Sequence, residues 1–418
     1  MGNCTVFKGL VGRQQVDASG RLETRVASDV LIDAFHVYHA TSSAADEATD
    51  AGSQVTAPAP GTVSLRSLGA VPPRLGELLH CVYQAPAAGD SPDVLNFVLH
   101  GEHGAVWAGT VQADGSRVGT RTWRAAASDL PAAVLMRRMH AGHCDQAGHV
   151  NVQVFLALVD DAIAVLCRER APERAPLQVV QARVSFKSEV FCGDVVRVHC
   201  GVTGIDADGV DMVHGIFHQP SGRLACVVES RLAALDASGL RVAPGWDAGP
   251  GDALSGQSWP TLPRARALAV PRAGRAPGAG SLQTCQAVVD AWDADDAGWL
   301  QTRALVNLCS TGARQYLAQI GLDAARFLRD RSTVAAIDYA IDLHRRPRLG
   351  CNLGMQTTHL ATSGKSIRFA HHLVDSQSGG VYATVEIVGV MLDLVAHRSI
   401  EVPPDIRVRL EAMVPPAS

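Results

Sequence analysis

The chain has 418 residues, 47% hydrophobic and 19% charged, with a formal net charge of −4. That length holds two or three domains, and that composition excludes a disordered or fibrous chain. The near-neutral balance gives no electrostatic reason to bind nucleic acid or an anionic membrane, and neither is expected as a partner.

The start, Met1-Gly2-Asn3-Cys4-Thr5-Val6, has no apolar core of a signal peptide, and Val6 stands where a myristoylation motif wants Ser or Thr. The first copy of a repeated pattern follows, Asp17-Ala18-Ser19-Gly20. After it, apolar residues at three- and four-residue spacing predict a helix over Thr24–His39. Strand-like runs come next at Gly76-Glu77-Leu78-Leu79, Val94–His100 and Ala105–Val111. Trp123 to Pro131 reads as a joint.

The second copy is Asp145-Gln146-Ala147-Gly148, and a helix over Asn151–Arg170 follows it. This helix is apolar on more than one face, which predicts burial on most sides. Asp160 and Asp161 interrupt the apolar run Val150–Cys167, which is too short and too charged to span a membrane. Strands are predicted around Val184-Ser185-Phe186, Gly193–Val198, Val210–Phe217 and Leu224–Glu229, with a turn at Ser221-Gly222. The stretch 241–281, rich in Pro, Gly and Ala, reads as a linker.

The third copy, Asp295-Asp296-Ala297-Gly298, opens a helix over Thr302–Ile320. Strands at Ala335–Asp342, Leu353–His359, Ser366–Val374 and Val381–Glu386 echo the second copy. The spacing from turn Gly to closing Glu is the same, Gly222 to Glu229 and Gly379 to Glu386; Val111 stands at that place in the first copy. Helix followed by several antiparallel strands, without strand–helix alternation, predicts an α+β fold. The expected units are 1–127, 128–240 and 282–418, with 241–281 between the last two. None of the ten Cys stands as Cys-x-x-Cys, so no zinc or redox centre is expected. The expectation is a cytoplasmic protein in a reducing compartment.

The second copy carries the chemistry. A carboxylate, Asp145, is followed by Gly148, His149 and Asn151 just where a helix begins. A helix N-terminus offers unpaired amides and a partial positive charge, which suits an oxyanion. Gly148 lets a substrate approach the backbone. Asp145 can attack an acyl group or activate water against it. Alone, Asp-x-x-Gly is a common turn and a single His149 is more often structural. The recurrence in register and the apolar helix behind the motif shift the balance toward chemistry.

The string Asp145-Gln146-Ala147-Gly148-His149-Val150-Asn151 resembles the signature of hydroxybenzoyl-CoA thioesterase-like proteins of the hotdog superfamily, with Phe155 where that family has Tyr. Phe191-Cys192-Gly193-Asp194-Val195-Val196-Arg197-Val198, the hairpin Ser221–Ala225 and the tail Val402-Pro403-Pro404 resemble it too. The resemblance implies three tandem hotdog units, each a long helix wrapped by an antiparallel sheet. It implies hydrolysis of an acyl-CoA or acyl-carrier-protein thioester without metal or organic cofactor. Asp145 would be nucleophile or general base, and amides near Asn151 would hold the oxyanion. His149 and Asn151 would orient the site, and Gly148 and Phe155 would line it. In the third copy Asp295 and Gly298 remain, but Trp299 and Gln301 replace His and Asn, so Asp295 is a lesser catalytic candidate. In the first copy Arg21 and Glu23 take those places, and Asp17 is expected to hold a turn. Hotdog units work in pairs, so three per chain imply a homodimer, although an internal pair with a bare third unit is the other solution. A hotdog hydratase or dehydratase acting on enoyl or 3-hydroxyacyl thioesters, and a non-catalytic acyl-CoA scaffold, are the competing readings.

Overall fold

The computed structural model describes residues 4–10, 21, 26–27, 29–35, 54–68, 78–85, 94–121, 133–145, 148–170, 176–219, 221–242, 280–396 and 398–413. The turn at Asp17–Gly20, the joint Trp123–Pro131 and most of the linker (243–279) lie outside them.

Strands of the middle region are β6 (Leu135–Arg138), β7 (Gln178–Phe186), β8 (Val195–Asp206), β9 (Gly209–His218) and β10 (Leu224–Leu235). They pair antiparallel in the order β6-β8-β9-β10-β7. The C-terminal region repeats this with β12 (Leu282–Val288), β13 (Ser332–Leu343), β14 (Asn352–Ser363), β15 (Ser366–Asp375) and β16 (Val381–Asp393), ordered β12-β14-β15-β16-β13. The N-terminal region has β1 (Cys4–Leu10), β2 (Gln54–Ser67), β3 (Leu78–Gln84), β4 (Val94–Gly101) and β5 (Gly104–Arg121), ordered β1-β3-β4-β5-β2. In each set the second strand in sequence lies at the far edge and the helix falls between strands one and two. In the middle and C-terminal sets that is the α+β hotdog arrangement expected from the repeat, and the N-terminal set shares their strand order.

The helices sit where apolar periodicity placed them. Residues 29–35 are helical (α1). They are followed by α2 (Val152–Arg170) and α3 (Thr302–Gln319). Burial of Val154, Phe155, Leu156, Leu158, Val159, Ala162, Ile163 and Val165 takes up more than one face of α2, as a sheet curled around it requires. A buried Leu is worth about 1.5–3 kcal/mol by area, so this helix is held by tertiary packing. Two further helices close the C-terminal unit, α4 (Ala324–Asp330) and α5 (Pro404–Glu411).

The second and third units form one body. β7 pairs antiparallel with β13, Arg183 opposite Ala340, so ten strands make a continuous sheet. A single hydrophobic core runs through both, and Phe155, Phe186 and Tyr339 cross the seam edge-to-face with ring centroids 5.5 and 6.0 Å apart. The seam also carries buried polar pairs. Ser185 Oγ donates to Asp338 (2.5 Å), and Gln181 Nε2 donates to Asp342 (3.2 Å). Arg241 bonds the buried Asp342. Arg241 and Val242 form β11 against β10, so the second unit extends past residue 240 into the predicted linker. The N-terminal set has its own core, built around Phe35, Leu79, Phe97, Leu99 and Trp107. It meets the second unit at the opposite edge, where β1 pairs with β6.

Candidate functional site

The loop from Cys144 to Asn151 is tied at both ends. The Asp145 amide donates to His149 O (2.8 Å), and the Gly148 amide donates to Asp145 O (3.0 Å). Asp145 Oδ1 accepts from the His149 amide at 3.0 Å, so the carboxylate is oriented by the turn it closes. Gly148 has φ +81° with open space where a Cβ would stand. Its role is therefore conformational, since an L side chain is strained at that φ. The Gly148 carbonyl accepts from the Cys192 amide (3.0 Å) and the Val150 amide donates to Val190 O (2.8 Å), which docks the loop on the β7–β8 connection.

Asn151 precedes α2: its amide donates to His143 O (2.9 Å) and its carbonyl accepts from the Val154 amide (3.0 Å). The next amides, at Val152 and Gln153, fall in the first helical turn, where no i−4 carbonyl within the helix serves them. Asp145 is exposed, and its carboxylate is held by the His149 amide, three residues before α2 begins. His149 is half-buried. Its ring meets Phe191 edge-on (5.0 Å between centroids), and its Nε2 lies 4.0 Å from Glu189 Oε1. Phe155 is buried in the seam toward Tyr339, not in the loop.

Two titratable groups flank the loop. Burial is the main cause pushing the Cys144 thiol up to about 11, so it stays protonated. Burial, with Arg137 nearby, lowers His143 to about 4; its Nδ1 accepts from the His140 amide at 3.2 Å. His140 in turn meets Asp33 of the first unit, 3.0 Å from Nε2 to Oδ2. Among the described residues no group of three His, Cys, Asp or Glu is arranged to hold a metal.

The third copy folds the same turn. The Asp295 amide donates to Trp299 O (2.8 Å), the Gly298 amide to Asp295 O (3.0 Å), and the Trp299 amide to Asp295 Oδ1 (2.8 Å). Gly298 has φ +82°. Trp299, in the place of His149, is buried under the guanidinium of Arg348, 4.3 Å from the ring centroid. Three polar residues near this turn were not singled out from sequence: Gln178, Asp160 and Arg346. Asp160 gave a signal, as a charge inside an apolar helix; Gln178 and Arg346 gave none.

The model of the thioesterase-like superfamily matches residues 139–251 and 289–410, more than half of the chain. A search of curated protein sequences finds no match. Among solved structures, an acyl-ACP thioesterase from Bacteroides thetaiotaomicron is similar at 10% identity and TM-score 0.43, over 61% of this chain and 96% of that one. A putative oleoyl thioesterase from Lactobacillus plantarum is similar at 12% identity and TM-score 0.45, over 61% and 94%. A 1,4-dihydroxy-2-naphthoyl-CoA thioesterase from Synechocystis is similar at 16% identity and TM-score 0.28, over 31% and 94%.

Proposed function

We propose, for a chain that belongs to the thioesterase-like superfamily, that it hydrolyses an acyl thioester, either acyl-CoA or acyl-carrier protein, to free acid and thiol. The observation that carries this reading is the exposed Asp145 carboxylate, fixed by the His149 amide at the start of α2. Asp145 takes the proton of a water that attacks the thioester carbon, or attacks that carbon itself. The carbonyl oxygen becomes an oxyanion facing the first-turn amides of α2, where the helix dipole favours negative charge. The carbon–sulfur bond then breaks and the thiolate leaves and is protonated; attack by water leaves the acid directly, whereas direct attack leaves an anhydride on Asp145 that water then cleaves to the acid and the free carboxylate. His149 and Asn151 hold the loop against α2 in this reading. The first strand set counts as a third, diverged hotdog unit, and 1–127, 128–240 and 282–418 are the three units.

The test is thiol release from a panel of short, long and aromatic acyl-CoAs and an acyl-carrier protein. Wild type is expected to turn over at least one of them. Asp145→Asn is expected to lose about 10²-fold or more in kcat/KM, the scale of a lost general base. Equal rates for the two proteins would sink the assignment. Loss of enoyl absorbance without thiol release would identify a hydratase, and tight acyl-CoA binding without either would identify a scaffold.

A further inference from the structure

The second and third units share a turn, but not what stands against the helix that follows it. At α3 the amide of Thr302, which is buried, donates to Asp160 Oδ2 at 3.1 Å. Asp160 belongs to α2, so a side chain of the second unit occupies the helix N-terminus of the third. Both oxygens of Asp295 are engaged as well. Oδ1 accepts from the Trp299 amide, and Oδ2 accepts from Gln178 Nε2 at 3.0 Å, again across the seam.

Arg346 fills the remaining space. Its guanidinium is buried, and it donates to Leu300 O and Val179 O at 2.6 Å each. It reaches Thr302 Oγ1 at 3.4 Å and feels both Asp160 and Asp295. Over it lies the turn of the second unit at Gly239, whose carbonyl accepts from the Arg346 amide at 3.0 Å. A Cβ at Gly239 would stand 2.4 Å from Arg346 O and 3.0 Å from the Trp299 ring.

The repeat shows what the second unit has at the same places. Aligned on Asp145 and Asp295, the position of Asp160 is held by Ser310, whose hydroxyl donates to Val306 O at 3.0 Å. Aligned on the pairs Arg183–Glu229 and Ala340–Glu386, Gln178 corresponds to Ala335 and Arg346 to Glu189. Glu189 is about half exposed and lies near His149. Ser310, the counterpart of Asp160, carries no carboxylate to offer Val152, the counterpart of Thr302.

A carboxylate on an oxyanion-binding amide both displaces an acyl oxygen and repels the charge it develops. We infer that Asp160, Gln178 and Arg346 are positioning residues that close the third unit's site and dock α3 on the second unit. The chain then has one acyl-thioester site, at Asp145, and the third unit serves as its built-in partner. The closure stands on geometry alone; the count of acyl sites rests on the thioesterase reading.

Two measurements separate these layers. Amide hydrogen exchange, read residue by residue, is expected to be at least about tenfold slower at Thr302 than at Val152, and Asp160→Ser is expected to remove most of that difference. Equal exchange at the two amides would overturn the closure, whatever the protein's activity. Titration with a non-hydrolysable ketone analogue of an acyl-CoA that the wild type hydrolyses is expected to give one equivalent per chain. Asp295→Asn is expected to keep kcat/KM within about twofold. The double variant Asp160→Ser/Gln178→Ala carries the open site's residues at two of the three positions, removing the carboxylate at Thr302 and the amide at Asp295, and is expected to take up a second equivalent. Two equivalents in wild type, or a tenfold loss in Asp295→Asn, would overturn the single-site count. A protein that binds and hydrolyses no acyl thioester, yet keeps the exchange difference, would refute the thioesterase reading and leave the closure standing.

Discussion

Asp160 is held at an energetic disadvantage. Its carboxyl is pushed up to about 6, mainly by burial and against the pull of Arg346 and the Thr302 amide, while the charge of Asp161 adds to the rise. A carboxyl whose folded value lies above its unfolded one binds a proton more readily in the folded state. Its contribution to stability is therefore present at low pH and is lost as pH climbs from about 4 through about 6. The full shift corresponds to about 3 kcal/mol, and partial exposure reduces that to about 1–2. Asp160→Asn is expected to gain on wild type in thermal midpoint between pH 4.5 and pH 7.5. Arg346, which keeps its carbonyl acceptors and the charge of Asp295, adds an offset that does not change with pH, and the opposite slope from His143 is common to both proteins. A constant difference across that range would contradict the assignment. A buried ion that costs stability is often kept because it specifies one arrangement, and here the arrangement is α2 against α3. In the sequence Asp160 was visible only as a charge breaking an apolar run. Its partners are encoded 142 and 186 residues away, at Thr302 and Arg346, so local pattern could not name them.

Elements were legible in proportion to their periodicity. α2 and α3 start and stop within a residue or so of the apolar spacing, and the Gly turns fall where predicted, with φ +64° at Gly222 and +73° at Gly379. The leading strands β1, β6 and β12 were missed because each is seven residues or fewer and none alternates cleanly. β2 was missed because Pro58 and Pro60 argue against a strand; an edge strand tolerates them, since its outer amides need no partner. α4 was missed because it is only seven residues long. Its ends are well marked, by Asp323 accepting from the Arg326 amide at the N-cap and by Arg331 at φ 48°. The two turn glycines that frame the sites make different demands. Gly148→Ala meets only backbone strain, about 1–2 kcal/mol. Gly239→Ala adds a clash with the Arg346 carbonyl and is expected to cost clearly more. Denaturant midpoints of the two variants check this, and equal losses would mean that the Gly239 turn does not bear on Arg346.

At the scale of the molecule, the seam between β7 and β13 fixes how two hotdog units meet. The N-terminal set offers the equivalent strand, β2, but among the described residues β2 pairs only with β5. Val63 is half-buried, and Ser64, Arg66 and Ser67 are exposed, whereas most of β7 is buried. A bare edge of this kind is a template for pairing. A second copy of the chain, joined β2 to β2 about a twofold axis, would satisfy it and give the six-unit homodimer expected from unit counting. Sedimentation is expected to show twice the 44.0 kDa chain mass, and Ser64→Pro, at the exposed edge, is expected to return it to one. A wild-type monomer at micromolar concentration would refute this mode of assembly.

The continuous ten-strand sheet has one more consequence. In a dimer of identical hotdog chains, any substitution appears twice, once at each symmetry-related site. A carboxylate placed like Asp160 would stop both helix N-termini and leave no open site. Here the two halves are encoded separately, so Asp160 and Ser310 can differ, as can Glu189 and Arg346. Covalent tandem linkage makes the pair a heterodimer by construction, in which one half can keep a reactive loop while the other evolves as its fixed wall.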